Sequence, residues 1–372
     1  MIEGLNNLLE GSDQPGLPEL RRLLQRILGG PSATGRLIEG CNLKPRTPRV
    51  YRLRFDFGGQ IRSLVAKFLK PAIAQRNALL AQRWLPAIGL DQNAPALLGV
   101  AAEPEGKGVW LVHEDLGDWA LDPSHPEPQR VKAAVDLVAQ LHIRFAEHPL
   151  LAECRLHGGD YGISFYASNV RDAIRALAAL QPCRMKLSSE SWALRDRLLT
   201  RLERLQEEVP ARGAALADMG GPETLLHGDL WPVNTFVVPT AQGLQARLID
   251  WDQVALGPAS YDLSTFLIRF PANHRHWILG LYREAVACAG WRLPGADDLN
   301  FLLETAEFAR YVNLLVWPAI AVGRDNPAYA LEQLAEVERW FIAWKPVLPQ
   351  RTEDLEKQPV ASYNEIPDCQ RR

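Results

Sequence analysis

The chemistry this sequence can do is concentrated in a few oxygen-bearing side chains and one lysine. His227, Asp229 and Asn234 precede an apolar run, Thr235 to Val238, and Asp250 and Asp252 follow a second run, Leu244 to Ile249. The polar stretch Pro239 to Gly243 between the runs predicts a β-hairpin. A hairpin sets its open ends side by side, so Asn234 and Asp250 can act on one ion although they are distant in sequence. Phosphoryl transfer to an alcohol asks a protein for a carboxylate that orients the hydroxyl and takes its proton, ligands for magnesium, and cations for the phosphates. Asp229 supplies the first, and Asn234 and Asp250 supply hard oxygen ligands of the type magnesium prefers. Taken singly, an Asp or Asn beside a turn most often bonds its local backbone. The set in this order points to function.

The spacing H-x-D-x-x-x-x-N, followed by an apolar strand ending in Asp, is the catalytic-loop and metal-loop order of the protein-kinase-like fold. The wording is more specific: HGDLWPVN and LIDWD, followed by Gly257, Tyr261, Asp262 and Leu263, resemble the aminoglycoside phosphotransferase and choline kinase group of small-molecule kinases. Eukaryotic protein kinases have Arg where this chain has Gly228, and D-F-G where it has Asp250-Trp251-Asp252. The resemblance implies an α+β, protein-kinase-like two-lobed fold, with a small antiparallel β-sheet N-lobe and a large, mainly helical C-lobe. It implies ATP and Mg2+ as cofactors and a small-molecule hydroxyl acceptor as partner. It makes Asp229 and His227 the candidate catalytic residues, His227 as a brace of the loop, with Asn234 and Asp250 holding both cofactor and metal. Asp262 is expected to anchor the catalytic loop.

The elements that must position these groups can be read along the chain. Apolar residues at 20, 23, 24, 27 and 28 predict a helix that packs on the first lobe. Tyr51, Leu53, Phe55 and Phe57 alternate with Arg52, Arg54 and Asp56, a half-buried strand that turns at Gly58-Gly59 into a second strand, Ile61 to Leu69. Lys67 lies in that second strand as Val65-Ala66-Lys67, the context of the lysine that pairs the α- and β-phosphates in kinase-like folds. An inward lysine needs an anion, because an unpaired buried ammonium is costly. The helix predicted over Ile73 to Leu85 stands where the family carries a glutamate for that lysine. Here the pattern fails: between Asp56 and Asp91 there is no acidic side chain. Either an amide from Gln75, Asn77 or Gln82 holds Lys67, or its partner comes from elsewhere.

Residues 40–49 occupy the place of the phosphate-covering loop, without a G-x-G-x-x-G and with Lys44, Arg46 and Arg49 as its cations. Strands at 97–100 and 109–112 complete a five-stranded antiparallel sheet. The second leads into His113-Glu114-Asp115-Leu116-Gly117, which resembles the family's interlobe segment; Glu114 and Leu116 are the candidates for backbone contact with adenine. Beyond the proline-rich stretch 123–128 the pattern becomes helical, at 131–145 with His142 as a core residue, then at 164–180 and 188–207 before the hairpin. Helices at 259–269, 274–289, 297–316 and 326–344 follow it and should build much of the acceptor pocket. Most of the tryptophans at 277, 291, 317, 340 and 344 read as core packing. The expected division is an N-terminal nucleotide-binding lobe, 1–114, a helical catalytic and acceptor-binding lobe, 115–348, and a polar tail, 349–372.

The bulk numbers agree with an enzyme of this size. A chain of 372 residues with 47% hydrophobic content can fill two lobes, and a formal charge of −3 with a pI near 6.3 gives no footprint for nucleic acid or an anionic membrane. Five cysteines without paired spacing read as reduced thiols, and with no export signal or membrane span the expected location is cytoplasmic. The sequence carries no signal for oligomeric state. The missing helix glutamate keeps a nucleotide-binding pseudokinase or regulatory module as an alternative. A metal-dependent phosphoesterase built on His227, Asp229, Asn234 and Asp250 is a further one.

Overall fold

The computed structural model describes residues 2–5, 14–29, 34–43, 49–181, 187–324 and 327–348. Lys44 and Arg46 of the basic loop, and the tail 349–372, lie outside the described residues. The fold is α+β, a sheet-based N-terminal part followed by a helical C-terminal part, and the chain divides into two compact units. The first comprises Met1–Asp122, Leu156–Gly158 and Pro232–Val254; the second comprises Pro123–Arg155, Gly159–Trp231 and Ala255–Arg372.

The first unit is organised on a sheet of β1 (Ile2–Glu3), β2 (Gly35–Asn42), β3 (Val50–Phe57), β4 (Gln60–Leu69), β5 (Leu97–Ala102) and β6 (Val109–Glu114). The spatial order is β1-β2-β3-β4-β6-β5. The five strands β2 to β6 pair antiparallel, as expected, and β1 adds a sixth that runs parallel to β2. Two residues are too few to carry a period, so β1 has no signature in the sequence. Tyr51, Leu53 and Phe55 are buried, and they share one core with Leu20, Leu23 and Leu24 of the helix Leu17–Ile27. Gly58 and Gly59 both have positive φ, 64° and 95°, the backbone a two-residue hairpin turn demands of its central pair. The loop expected over 40–49 begins later, because β2 stays paired with β3 through Cys41↔Arg52 and Asn42↔Tyr51. Ladder hydrogen bonds continue a strand past the end of its apolar pattern.

After β4 the chain forms the helix Pro71–Leu79, a π-helical turn Leu80–Trp84 and a last turn Leu85–Ala87. π-Turns inside helices are rare and frequent at functional sites. This one carries Leu80 and Ala81, both of which line the cavity described below.

In the second unit, β7 (Gly159–Asp160), β8 (Glu223–Leu226) and β11 (Ala255–Pro258) form a small sheet in the order β7-β11-β8. Its principal core joins Val170, Leu177, Leu198, Leu202, Val312 and Leu315 from the helices Ile163–Ala178, Ser189–Glu207 and Ala296–Val322. The last of these was expected to end at 316, before Trp317-Pro318. It runs on to Val322 because Ala319 and Val322 bury on the far side of the proline, which costs the helix one N–H donor. The helices Leu151–His157 and Val209–Met219 had no sequence expectation, one being short and the other rich in alanine and glycine with little apolar periodicity.

The reading of the late tryptophans as core fails in part. Trp317 is 73% exposed, and Trp277 and Trp340 are also exposed. The inward positions of their helices are taken by Leu, Phe and Ala, and these indoles fall on outer faces.

Candidate active site

Strands β9 (Thr235–Thr240) and β10 (Gly243–Leu248) form the expected hairpin, but its turn is shorter than the sequence suggested. Pairing runs from Leu248↔Thr235 to Gly243↔Thr240, so only Ala241 and Gln242 make the turn. Pro239 is tolerated because it lies on the outer side of β9 beyond the bonds that Thr235 and Val237 make there, where no ladder needs its N–H. At the open end Ile249 N–H donates to the Asn234 carbonyl at 2.9 Å, which sets Asn234 directly beside the segment that carries Asp250. Two further bonds, Leu121 N–H to Thr235 O and Val237 N–H to Trp119 O, both at 2.9 Å, tie β9 to the segment after β6.

Asp250 holds φ 65° and ψ 53°, the left-handed region. Such a backbone costs a non-glycine residue roughly 1–3 kcal/mol and persists where the surroundings impose it. The conformation ends the strand abruptly and starts the short 3-10 turn Trp251–Gln253. Trp251 is buried and donates its indole N–H to the Leu248 carbonyl at 3.0 Å, so it locks that turn onto the hairpin.

A cavity of about 470 Å³ lies within the first unit. Lys67, Glu114, Leu116, Asn234 and Asp250 all line it, together with Arg52, Asn77 and His113. Its volume falls within the roughly 300–1,000 Å³ of small-molecule and cofactor sites.

Lys67 is held without a helix glutamate. Its ammonium donates to Asp250 Oδ1 at 2.5 Å and to Asp252 Oδ1 at 2.6 Å. Asn77, one of the amides considered as a substitute, bonds Asp252 Oδ1 at 3.2 Å and not the lysine, and Arg76 Nη1 donates to the Asp252 carbonyl at 2.9 Å. The carboxylate missing from the helix therefore arrives from the end of β10, and the helix contributes donors that position it. Burial alone would pull the Lys67 ammonium down, but the charges of Asp250 and Asp252 outweigh it and hold the group above its ordinary value.

The segment after β6 is braced by charge. Arg52 pairs with Asp115 at 3.0 Å and with Asp118 at 2.9 Å, and donates to the Gly117 carbonyl at 3.0 Å. Ser63 Oγ donates to Asp115 at 2.5 Å, and Arg247 of β10 donates to Glu114 at 2.7 Å. These bonds fix the backbone of Glu114 and Leu116 at the cavity wall. His113 precedes them; its Nδ1 is buried without a hydrogen-bond partner. Burial, and secondarily the charge of Lys67, pushes its imidazole down to about 4, so the ring is neutral at ordinary pH.

In the second unit, the His227–Asp229 segment hangs from Asp262, which is fully buried in the helix Ser260–Ile268. Asp262 Oδ2 accepts the His227 N–H at 2.7 Å and Oδ1 accepts the Gly228 N–H at 2.9 Å. His142 Nε2 lies 3.3 Å from Oδ2 and its Nδ1 lies 2.8 Å from the Tyr282 hydroxyl, so the buried histidine is a satisfied core residue, as expected. Burial works against the charge on Asp262, yet the bond from His142, the His142 and His227 charges and the Gly228 N–H hold the carboxyl below its ordinary value. Gly228, at φ 79°, takes a conformation that suits glycine and would strain a side chain. His227 is also fully buried and accepts the Asp229 N–H at 3.3 Å through Nδ1, which is a bracing position. Asp229 itself is half-buried, and its Oδ1 accepts the Trp231 indole N–H at 2.6 Å.

Asp252 was read only as a neighbour of Asp250, although its adjacency was the available signal; its partnership with Lys67 spans 185 residues and no local pattern announces it. Arg52 was read as the polar face of a strand, and Arg269, whose guanidinium lies 3.6 Å from the centre of the Trp231 ring, had no signal at all.

Comparison with known proteins gives a consistent answer. The model of the phosphotransferase enzyme family matches residues 45–294. The fold is similar to that of an ethanolamine kinase from Plasmodium vivax, with TM-score 0.54 at 13% identity, covering 92% of this chain and 98% of that one. It is similar to a macrolide 2'-phosphotransferase from Brachybacterium faecium, with TM-score 0.51 at 17% identity, covering 84% and 95%. It is also similar to a spectinomycin phosphotransferase solved with ADP and spectinomycin, with TM-score 0.50 at 14% identity, covering 84% and 90%. No curated protein matches the chain in sequence. Among the described residues no helix is long and apolar enough to cross a membrane.

Proposed function

The chain belongs to the phosphotransferase enzyme family and is a small-molecule kinase, and on that premise we propose that it moves the γ-phosphate of ATP to a hydroxyl of its acceptor. The observation that carries this reading is the shared cavity: a lysine, an amide and a carboxylate from distant parts of the chain line one space of nucleotide-accommodating size. Lys67 binds the α- and β-phosphates, with Asp250 and Asp252 holding its ammonium in place. The Glu114 and Leu116 backbone meets the adenine edge.

The donor set suits magnesium. Asn234 and Asp250 offer an amide and a carboxylate oxygen, and among the described residues no group of three or more His, Cys, Asp or Glu is placed to hold a metal ion by itself. Magnesium is typically held by one or two carboxylates plus substrate phosphates, not by an all-protein cage. Asn234 and Asp250 would hold the ion, which when bound neutralises phosphate charge.

Asp229 orients the acceptor hydroxyl, with Trp231 fixing the carboxylate through Oδ1. As the acceptor oxygen bonds to the γ-phosphorus, the bond from that phosphorus to the β–γ bridging oxygen breaks and ADP leaves. The hydroxyl proton passes to the Asp229 carboxylate. Because the transition state is loose, positioning and charge neutralisation contribute more than proton abstraction.

The test is acceptor-dependent ATP consumption across amino alcohols, sugars, hydroxy acids and aminoglycosides, in the parent and in Asp250→Ala and Asp229→Asn. Asp250→Ala should abolish turnover while circular dichroism stays unchanged. Asp229→Asn should lose roughly 10²–10⁴-fold, the usual worth of general-base help. Full activity in Asp250→Ala would defeat the metal assignment.

A further inference from the structure

Two guanidinium groups, those of Arg269 and Arg310, lie near enough to Asp229 for its charge to act on them. Arg269, the residue after the helix Ser260–Ile268, lays its guanidinium over Trp231 at 3.6 Å, and the same indole bonds Asp229 through its N–H. Among the described residues no carboxylate lies within ion-pairing distance of Arg269. Partial burial lowers its hold on the proton, and the charges of Glu307, Arg310, Tyr311 and Asp229 act on it more weakly, in decreasing order. A second guanidinium, Arg310, stacks 4.6 Å from the Tyr261 ring centre and also feels the Asp229 charge.

The acid whose charge acts most on Arg269, Glu307, is paired with Arg310 through one oxygen, and its Oε2 is buried without a hydrogen-bond partner. Glu307 is buried, and the paired oxygen, Oε1, also accepts Ser264 Oγ at 3.1 Å. Arg310 Nη2 is buried with no hydrogen-bond partner. Arg269 is exposed, so its guanidinium, stacked on Trp231 and without a carboxylate partner among the described residues, is open to an anion that arrives from solvent. A cationic acceptor placed at Asp229 would meet the Arg269 guanidinium beside it.

We propose that the acceptor is an anionic alcohol: its carboxylate or phosphate group is held by Arg269 on the face of Trp231 while its hydroxyl lies at Asp229. The anion and the hydroxyl then stand at two parts of one indole, which suits a hydroxy acid or a hydroxy phosphate ester of a few carbons. The guanidinium fork matches both anions by paired N–H donors. This assignment rests on the reading of Asp229 as the residue that receives the acceptor hydroxyl.

The test reads binding and does not depend on turnover. In ¹⁵N-labelled full-length protein, the Trp231 indole N–H resonance is identified by its loss in Trp231→Phe and titrated with D-glycerate, glycerol 3-phosphate, glycerol and ethanolamine. At least one anion should shift it at tenfold or lower concentration than glycerol or ethanolamine; which anion does so distinguishes carboxylate from phosphate. Arg269→Gln should raise the anion's midpoint at least tenfold and Arg269→Lys should restore part of it, with the other indole resonances unmoved as the check on folding. Equal response to glycerol, a preference for ethanolamine, or an anion titration unchanged by Arg269→Gln overturns the proposal. Absence of ATP turnover with every acceptor would count against the phosphotransfer reading alone, because this titration reports the anion site directly.

Discussion

Replacing Asp262 by alanine strips the catalytic loop of the acceptor for two backbone N–H groups at once. His227 N and Gly228 N, at 2.7 and 2.9 Å from its two oxygens, are buried with the residues that carry them. Each buried donor left unsatisfied costs about 1–3 kcal/mol, so the two together predict a loss of roughly 2–6 kcal/mol, before His142 Nε2 is counted. Asp262→Asn keeps one carbonyl acceptor but turns an NH₂ toward the second N–H, and should fall between the parent and the alanine variant. Urea denaturation followed by circular dichroism gives the stability, and acceptor-dependent ATP consumption gives the function. Both should fall together, because the bonds that stabilise the loop also place Asp229. The pH dependence adds a sign. The Asp262 carboxyl is held below its ordinary value, so its contribution is complete above the unfolded carboxylate range and is lost as pH falls through the folded value. Asp262→Asn should lack that acid loss. An alanine variant with an unchanged urea midpoint would refute the reasoning that these two bonds hold the loop.

Lys67→Met removes the cation between Asp250 and Asp252, so two carboxylates face each other unpaired; nucleotide binding, read by isothermal calorimetry, should weaken, and stability lost near neutral pH should be partly regained on acidification as one carboxyl takes up a proton. His113 is neutral in the fold down to about 4 and ordinary, at 6.5, when unfolded. Stability should therefore be steady above the unfolded value and decline as pH falls between the two, by on the order of 3 kcal/mol in all, a decline that His113→Gln should lack in urea titrations across that range. Gly228→Ala places a side chain at φ 79°, and should cost about 1–2 kcal/mol in the urea midpoint and reduce turnover by moving Asp229.

The arrangement of Lys67 explains why a departure from the family pattern need not disable the site. The chain has no acid in the helix after Pro71, yet the lysine is doubly paired from β10's far end, while Asn77 and Arg76 of that helix hold Asp252 by its side chain and its backbone carbonyl. The pairing has been redistributed: the helix supplies donors and the segment after β10 supplies the charge.

What the sequence by itself determined was local and periodic. The alternation of Tyr51, Leu53 and Phe55 fixed which face of β3 is buried, Gly58-Gly59 fixed its turn, and the apolar runs around 240 fixed a hairpin whose ends bring Asn234 and Asp250 together. Such features follow from side-chain period and turn geometry within a few residues, so they can be read before any packing is known. Even there the ends were uncertain: hydrogen-bond ladders carried β2 through Asn42 and β10 back to Gly243, and burial carried a helix across Pro318. Only the tertiary structure decided which charges meet. Lys67 with Asp252, Arg52 with Asp115 and Arg269 with Trp231 are contacts between segments whose own sequences are indifferent to one another. Their partners are chosen by the packing of whole elements, and the cost of leaving a charge unpaired in that packing is set by burial, which no single stretch of sequence encodes.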